Sequence, residues 1–311
     1  MKITPIPLPA LKSEGSPLQS LYWAQSKAFL GWKAYAFEID EEQHLLLLVR
    51  RIAPLFTFAY VPFGPPKPVN LKILSNELQK FITEPIFAIR YDLPFDVEGH
   101  TVEGLRRLSY SIQPQRSVRI DLEEPLAYRK RARRALSRGS DLYTVSRYTG
   151  ESHLFDQWYE TYCQTATRDH FHPRSKAYFA HLLSITADPT TKPILLLAFE
   201  GEEVVGGILI IHNAQEMIYL AGSSIRSDVG YVLQDAALHL GKVEFCKVYD
   251  LFGISNDSEY LASLDLFKQS FGGRVVTRVP SLDYPIRHLR YFLFRFVERL
   301  RYRHSRSLGQ G

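Results

Sequence analysis

One pattern of apolar and polar positions runs through the chain twice. The first copy is AYAFEI (34–39), HLLLLVRRI (44–52) and FTFAYVPFG (56–64), a stretch of helical periodicity near 70–83, then IFAIRYDL (86–93). The second is ILLLAFEG (194–201), EVVGGILIIHN (203–213) and EMIYLAGSS (216–224), a helical stretch near 230–241, then KVYDLFGIS (247–255). Each copy predicts three β-rich runs broken by turn residues, an amphipathic helix, and a further strand. Tyr60 and Asp92 in the first copy correspond to Tyr219 and Asp250 in the second. The shared order and spacing predict two copies of one α/β unit, each with a mixed sheet.

Length and composition agree with that division. At 311 residues the chain exceeds a usual single core, and 45% hydrophobic and 13% aromatic residues are ample for two packed cores. Boundaries are expected at 1–111 for the first unit, 112–279 for the second, and 280–311 for a C-terminal strand and basic amphipathic helix returning to the first. Cys163 and Cys246 lie far apart, so neither a disulfide framework nor CxxC metal ligation is expected. MKITPIPLPALKSEGSP lacks the apolar core of a secretory signal, and no run reaches the ~18 apolar residues of a membrane span. The expectation is a soluble, cytoplasmic, monomeric protein.

Charge changes the picture locally rather than in sum. The net charge is only +5, yet YRKRARRALSR (128–138) holds Arg129, Lys130, Arg131, Arg133, Arg134 and Arg138 without one acid. Such a helix would neutralise phosphates with steep salt dependence and no sequence readout; the plainer alternative is a solvated face. In IRHLRYFLFRFVERLRYRHSR (286–306), Leu289, Phe292, Leu293, Phe296, Val297 and Leu300 share a stripe, with Arg287, Arg290, Glu298 and Arg301 roughly opposite. Two readings stand: the stripe lies on an anionic membrane surface, or it docks on the first unit, leaving Arg301–Arg306 solvated or at the membrane.

RDHFHPRSKAYF (168–179) has the look of a metal site. In an extended segment, however, only His170 and His172 share a face, and no second cluster completes a zinc sphere, so no metal is expected. Pro173 and Ser175 suit a helix start with Ser175 as N-cap. Arg174 then sits ahead of a positive helix end, where an anion is welcome.

The strand–strand–strand–helix–strand order resembles the GNAT acyltransferase superfamily, which implies two tandem GNAT-like domains in an α/β (α+β) chain. In that fold the turn after the third strand cradles the coenzyme A pyrophosphate with backbone N–H groups. Here the turns read SSIRSDVGYV (223–232), with a single glycine, and VPFGPPKPV (61–69), with four prolines that offer no N–H. Coenzyme A is therefore not expected, nor any other cofactor.

Over roughly 16–285 the chain further resembles the FemABX family, aminoacyl-tRNA-dependent transferases that build peptidoglycan cross-bridges. The resemblance rests on SLYWAQSKAFLGW (20–32), AYVPFGP (59–65), IRYDLP (89–94), SIQPQRSVRIDL (111–122), RKRARRALSRG (129–139), RDHFHPRSKAYF, YLAGSS (219–224), YDLFGIS (249–255) and LDLFKQSFGG (264–273). It implies transfer of an amino acid from its tRNA ester to a stem-peptide amine of a lipid-linked or UDP-linked precursor. By family match, Lys27 (with Trp23), Arg174 and Tyr178 would hold the precursor diphosphate in a cleft between the domains. Lys268, beside Phe267, would sit at the reacting ester, Arg90 and Asp92 near the cleft, and Arg129–Arg134 against the tRNA; Tyr219 is a further substrate-side candidate. Between Leu136 and Pro173 there is room for one helix, near 153–168, so the long helical arm of some relatives is absent. Leu220 stands where several relatives carry tyrosine.

An aminoacyl ester needs a positioned, deprotonated amine and a stabilised oxyanion; positioning alone is worth up to roughly 7–11 kcal/mol. Lys268 would stabilise the oxyanion or a tRNA phosphate, and Asp92 is a candidate base. Each residue also has a plain structural reading. Lys27 suits a snorkelling surface lysine, Lys268 a solvated one beside packed Phe267 and Phe271, and Asp92 a cap or an arginine's partner. Two other functions compete: a GNAT-like N-acyltransferase acting on another amine or a polysaccharide, and a non-catalytic RNA- or membrane-binding module.

Overall fold

A computed structural model describes residues 1–109, 111–254 and 262–308, and for 262 and 300–308 the backbone alone. Tyr110 and the end of the YDLFGIS segment lie outside the described residues. In chain order the elements are β1 (Ile3–Ile6), α1 (Leu21–Ala28), β2 (Lys33–Ile39), β3 (Gln43–Ala53), β4 (Phe56–Pro62), α2 (Leu71–Leu78), β5 (Ile86–Asp92), β6 (Arg106–Arg107) and β7 (Arg116–Asp121). They continue with α3 (Lys130–Gly139), β8 (Thr144–Arg147), α4 (Ser152–Arg168), α5 (Lys176–Ser184), β9 (Lys192–Glu200), β10 (Glu203–His212), β11 (Glu216–Ser224) and α6 (Val229–Val243). The last are β12 (Val248–Asp250), α7 (Ala262–Gln269), β13 (Arg274–Thr277), β14 (Leu282–Pro285) and α8 (His288–Leu308).

Two compact units result. The first takes in Met1–Lys12, Leu30–Gln113 and the chain from Val279 on; the second takes in Ser13–Phe29 and Pro114–Arg278. Helix α1, with Trp23 and Lys27, thus belongs to the second unit although it precedes the first repeat.

The first unit's sheet runs β1-β2-β3-β4-β5-β14-β6 and the second's β13-β7-β12-β11-β10-β9-β8. In each, three antiparallel strands lead through a helix to a fourth that pairs parallel with the third, β4 with β5 and β11 with β12. The doubled pattern is therefore one architecture used twice, and both sheets are mixed. Apolar spacing explains the connecting helix of the first copy. Leu71, Leu74, Ser75 and Leu78 are its buried positions, and the Asn70 side chain accepts from the Ile73 N–H at its start. In β3 the uninterrupted run Leu45–Val49 is buried throughout, as a central strand covered on both faces requires.

The matching aspartates end equivalent strands but are held differently. Asp92 is fully buried and accepts from the Tyr60 hydroxyl at 2.7 Å, the Gln113 N–H at 2.9 Å and the Ser281 hydroxyl. Its neighbour Arg90 is also buried, and pairs with Asp283 through Nε at 2.7 Å and with Glu298 of α8 through Nη1 at 2.9 Å.

That network fixes α8 and decides between the two readings of its stripe. The face of α8 turned to its own unit carries Tyr291, Phe294, Arg295 and Glu298, not the apolar stripe. Phe294 stacks among Phe56, Phe58 and Phe87, at 4.9 Å from Phe87. Leu289, Phe292, Leu293, Phe296 and Val297 are exposed, so the stripe does not dock on the first unit; the side chains of Leu300 and of Arg301–Arg306 lie outside the described residues. Asp283 is buried against Arg90, and half-buried Glu298 is held by both Arg90 and Arg295; this charge network decides the helix's orientation, because leaving a buried charge unpaired costs more than exposing aliphatic surface. Arg90→Met is expected to cost about 3–5 kcal/mol. It should lower the urea midpoint and speed proteolytic release of α8, both measured against wild type.

Candidate functional site

The site grows from an irregularity in β11 of the second unit. Opposite the Leu209–Ile210 step of β10, pairing jumps from Ala221 to Tyr219, so Leu220 is an extra residue and the strand bulges. Bulges re-aim side chains next to functional cavities. Tyr219 folds back over Gly222, where an added Cβ would lie 2.1 Å from the tyrosine hydroxyl. Only glycine leaves room for that ring at this position.

Beside the bulge opens a cavity of about 760 Å³, lined by Tyr219–Ser224, by Tyr162 and Arg168 of α4, by Tyr231 of α6, and by Phe267 and Lys268 of α7. Helix α7 enters through its aromatic face: Phe267, Phe271 and Tyr231 pack with centroids 4.8–5.7 Å apart. Lys268 is consequently buried, and the solvated reading of it does not hold. Its Nζ donates to the Phe252 carbonyl at 2.9 Å and the Gly253 carbonyl at 2.5 Å, and lies 5.8 Å from the Tyr219 ring centre. Burial lowers its pKa to about 8, against the pull of Asp250 and Asp265. An ammonium has three donors, so one remains after the two carbonyls.

The carbonyls that hold Lys268 follow β12, and Asp250 shapes that turn. This fully buried carboxylate accepts from the Ser117 hydroxyl and the Phe252 N–H, with Arg119 at 3.8 Å. Burial raises its pKa, opposed mainly by Arg119. Arg119 also pairs with Glu216 at 2.8 Å, tying β7 to β11 and β12. Burial likewise raises the Tyr219 hydroxyl, which stays protonated.

Helix α3 reaches the same cavity. Ala132, Ala135 and Gly139 are its buried positions, and the basic residues are exposed. Arg131 lines the cavity and donates to the Tyr231 hydroxyl at 2.6 Å. Arg138 grips Asp228 through two bonds of 2.8 Å. Among the described residues no carboxylate pairs with Arg129, Lys130, Arg133 or Arg134, and Lys130, Arg133 and Arg134 share a shallow depression.

The residues matched to precursor binding form a second group, on helices that pack together. Tyr22 of α1 donates to the Leu182 carbonyl of α5 at 3.0 Å, and Phe29 stacks on His181 at 4.7 Å. On this pair Lys27 lies 4.0 Å over the Trp23 ring and Arg174 5.7 Å over Tyr178. Ser175 is the N-cap of α5, its hydroxyl accepting from the Tyr178 N–H, as the sequence predicts. His170 and His172 are exposed flanks, and among the described residues no group of three His, Cys, Asp or Glu could hold a metal. Helix α4 is the one long helix before α5, leaving no helical arm.

Arg90 and Asp92 lie in the first unit, each engaged in the buried contacts described above. Sequence reasoning missed Tyr162, Arg168 and Tyr231 as cavity residues. The spacing of Phe155, Trp158, Tyr162 and Thr165 marks one buried face of α4, but nothing in the sequence says that this face ends at a cavity. Arg168 donates from Nη1 to the Ser224 carbonyl at 2.7 Å and pairs with Asp169.

Two GNAT-like units in tandem define the fold, and comparison with known proteins adds to it. Residues 196–299 match the profile of the FemAB family. The fold is similar to that of FemX, with a TM-score of 0.78, 17% identity, and 94% of this chain and 99% of that one covered. It is also similar to L-PGS from Bacillus licheniformis (TM-score 0.54, 12% identity, 84% and 86% covered). A third likeness is to a tandem GNAT protein from the clavulanic acid biosynthesis pathway (TM-score 0.52, 10% identity, 91% and 97% covered). No curated protein sequence matches. Residues 196–299 thus carry a FemAB profile, and the chain as a whole shares the FemX fold.

Lys268 carries a measurable signature. A lysine whose folded pKa lies below its ordinary 10.5 binds its proton less tightly when folded. Its burial therefore costs stability at neutral pH, and that cost fades as pH rises through 8 toward 10.5. Lys268→Met is expected to stabilise the fold at pH 7 by up to about 3 kcal/mol, less the cost of two unpaired carbonyls. The advantage should vanish by about pH 10, read by thermal melts across pH.

Proposed function

We propose that the protein is a non-ribosomal aminoacyltransferase that moves an amino acid from aminoacyl-tRNA to a stem-peptide amine of a peptidoglycan precursor. One observation carries the reading: a single cavity is lined both by a buried, low-pKa lysine and by a residue of an acid-free basic helix. A polyanion bound along Arg129–Arg134 would meet the cavity at Arg131, and Lys268 belongs to the same lining. The FemAB profile over residues 196–299 supports transfer chemistry of this class.

In the proposed reaction the neutral amine attacks the ester carbonyl carbon, and the carbonyl oxygen takes up negative charge. The remaining N–H of the Lys268 ammonium stabilises that oxyanion, a donor fixed in advance by two carbonyls and a low-dielectric wall. The C–O bond to the ribose then breaks, the new C–N bond remains as an amide, and the amine's proton passes to the departing ribose oxygen. Lys27 on Trp23 and Arg174 on Tyr178 bind the precursor diphosphate as paired cations on adjoining helices. Phe267 and Tyr219 shape the acyl end of the cavity. Arg90 and Asp92 belong to the first unit, where each is held in buried contacts.

Coenzyme A has no part in this proposal. The α6 start carries Asp228, in the left-handed conformation and bonded to Arg138, where a pyrophosphate would need an uncontested positive end. A GNAT-like acetyl transfer would instead require acetyl-coenzyme A to bind in this turn.

Incubation with a charged tRNA pool and candidate muropeptide precursors, read by mass spectrometry, should give a product heavier by one amino-acid residue. Lys268→Ala is expected to lower the rate about 10²–10³-fold, as loss of an oxyanion donor does. Full activity in that variant, or micromolar binding of acetyl-coenzyme A, overturns the reading. The pH–rate profile should fall above about 8, where Lys268 loses its proton, and the fall should shift upward in Lys268→Arg. Arg133→Ala/Arg134→Ala should weaken tRNA binding for all tRNAs alike and flatten its salt dependence. The slope should fall by about 0.9 for each phosphate left unneutralised, if duplex RNA behaves as B-DNA does.

A further inference from the structure

Helix α8 presents two unlike faces, and only one is explained by folding. At 100° per residue the exposed Leu289, Phe292, Leu293, Phe296 and Val297 centre about 180° from the docked Tyr291, Phe294, Arg295 and Glu298. Relative exposures of 86%, 51%, 53%, 62% and 40% make this a continuous apolar strip rather than scattered surface residues.

Its borders are basic. Arg290 and Arg299 fall about 90° to either side of the strip, Arg287 is exposed at its start, and Arg106 of the edge strand β6 stands 5.1 Å over the Phe292 ring. Residues 286–306 contain seven arginines and a single acid, Glu298. That acid is turned inward to Arg90 and Arg295, so it does not offset the border.

We infer that this face of α8 docks on an anionic lipid bilayer, lying in the interface with its apolar strip immersed about 5–10 Å. Charge complementarity selects this occupant over a second copy of the chain. Two copies packed strip to strip would bring arginine borders together, whereas anionic headgroups neutralise them. No helix among the described residues is long and apolar enough to cross a membrane, so α8 lies on the surface rather than spanning it. The inference stands on α8 and β6 alone and is independent of the reaction catalysed.

Co-sedimentation with vesicles tests it. The full chain should pellet with phosphatidylcholine vesicles containing phosphatidylglycerol, weakly with phosphatidylcholine alone, and less as salt rises. Phe292→Ser/Phe296→Ser and Leu289→Ser/Leu293→Ser should each reduce partitioning at least tenfold, with unchanged circular dichroism and melting temperature. Failure to bind anionic vesicles overturns the inference, as does binding that both variants retain. So does a dimer in solution, seen by light scattering, that either double substitution dissolves, because the strip would then be covered by a second copy.

Discussion

A fully buried carboxylate at the end of a three-residue strand organises the second unit. Asp250 has no access to water, so its charge must be met by the protein, and Arg119, the Ser117 hydroxyl and the Phe252 N–H meet it. Meeting it fixes three things at once. Arg119, already paired with Glu216, holds β7 against β12 and β11. The N–H of Phe252 fixes the turn after β12, and the carbonyls of that turn then hold Lys268. The position of the lysine follows from compensating one aspartate, while its low pKa comes from burial, against the pull of that same aspartate.

The first unit solves the same problem with different partners. Asp92 ends the equivalent strand, but the Tyr60 and Ser281 hydroxyls and the Gln113 N–H close around it. The difference lies in partners rather than topology. Tyr60 reaches its strand-end aspartate, whereas Tyr219, displaced by the Leu220 bulge and admitted by Gly222, turns toward the lysine. A repeated sequence element thus became a structural fastening in one copy and the wall of a site in the other.

Much of this was legible in the sequence, for local reasons. Strand alternation, the helix between third and fourth strands, and the Ser175 cap depend on neighbours a few residues away, and the spacing of Trp23 to Lys27 and Arg174 to Tyr178 suffices to bring each pair together. Lys268 could be picked out by its setting between phenylalanines, but its burial could not. That depends on carbonyls sixteen and fifteen residues earlier in the chain. The orientation of α8 was left open between two readings for a similar reason. A helical wheel registers the stripe of leucine and phenylalanine, but not the ion network of Arg90, Asp283 and Glu298, whose members lie some two hundred residues apart.

The way α8 is fastened separates two demands that one helix face usually serves. Packing against the body of the unit rests on Phe294, Tyr291 and the charges around Arg90, so the leucines and phenylalanines on the far side contribute little to folding. Left to folding alone, those positions would drift toward polar residues, since exposed aromatics lower solubility. The strip can therefore be remade for a different surface without disturbing the fold that carries it.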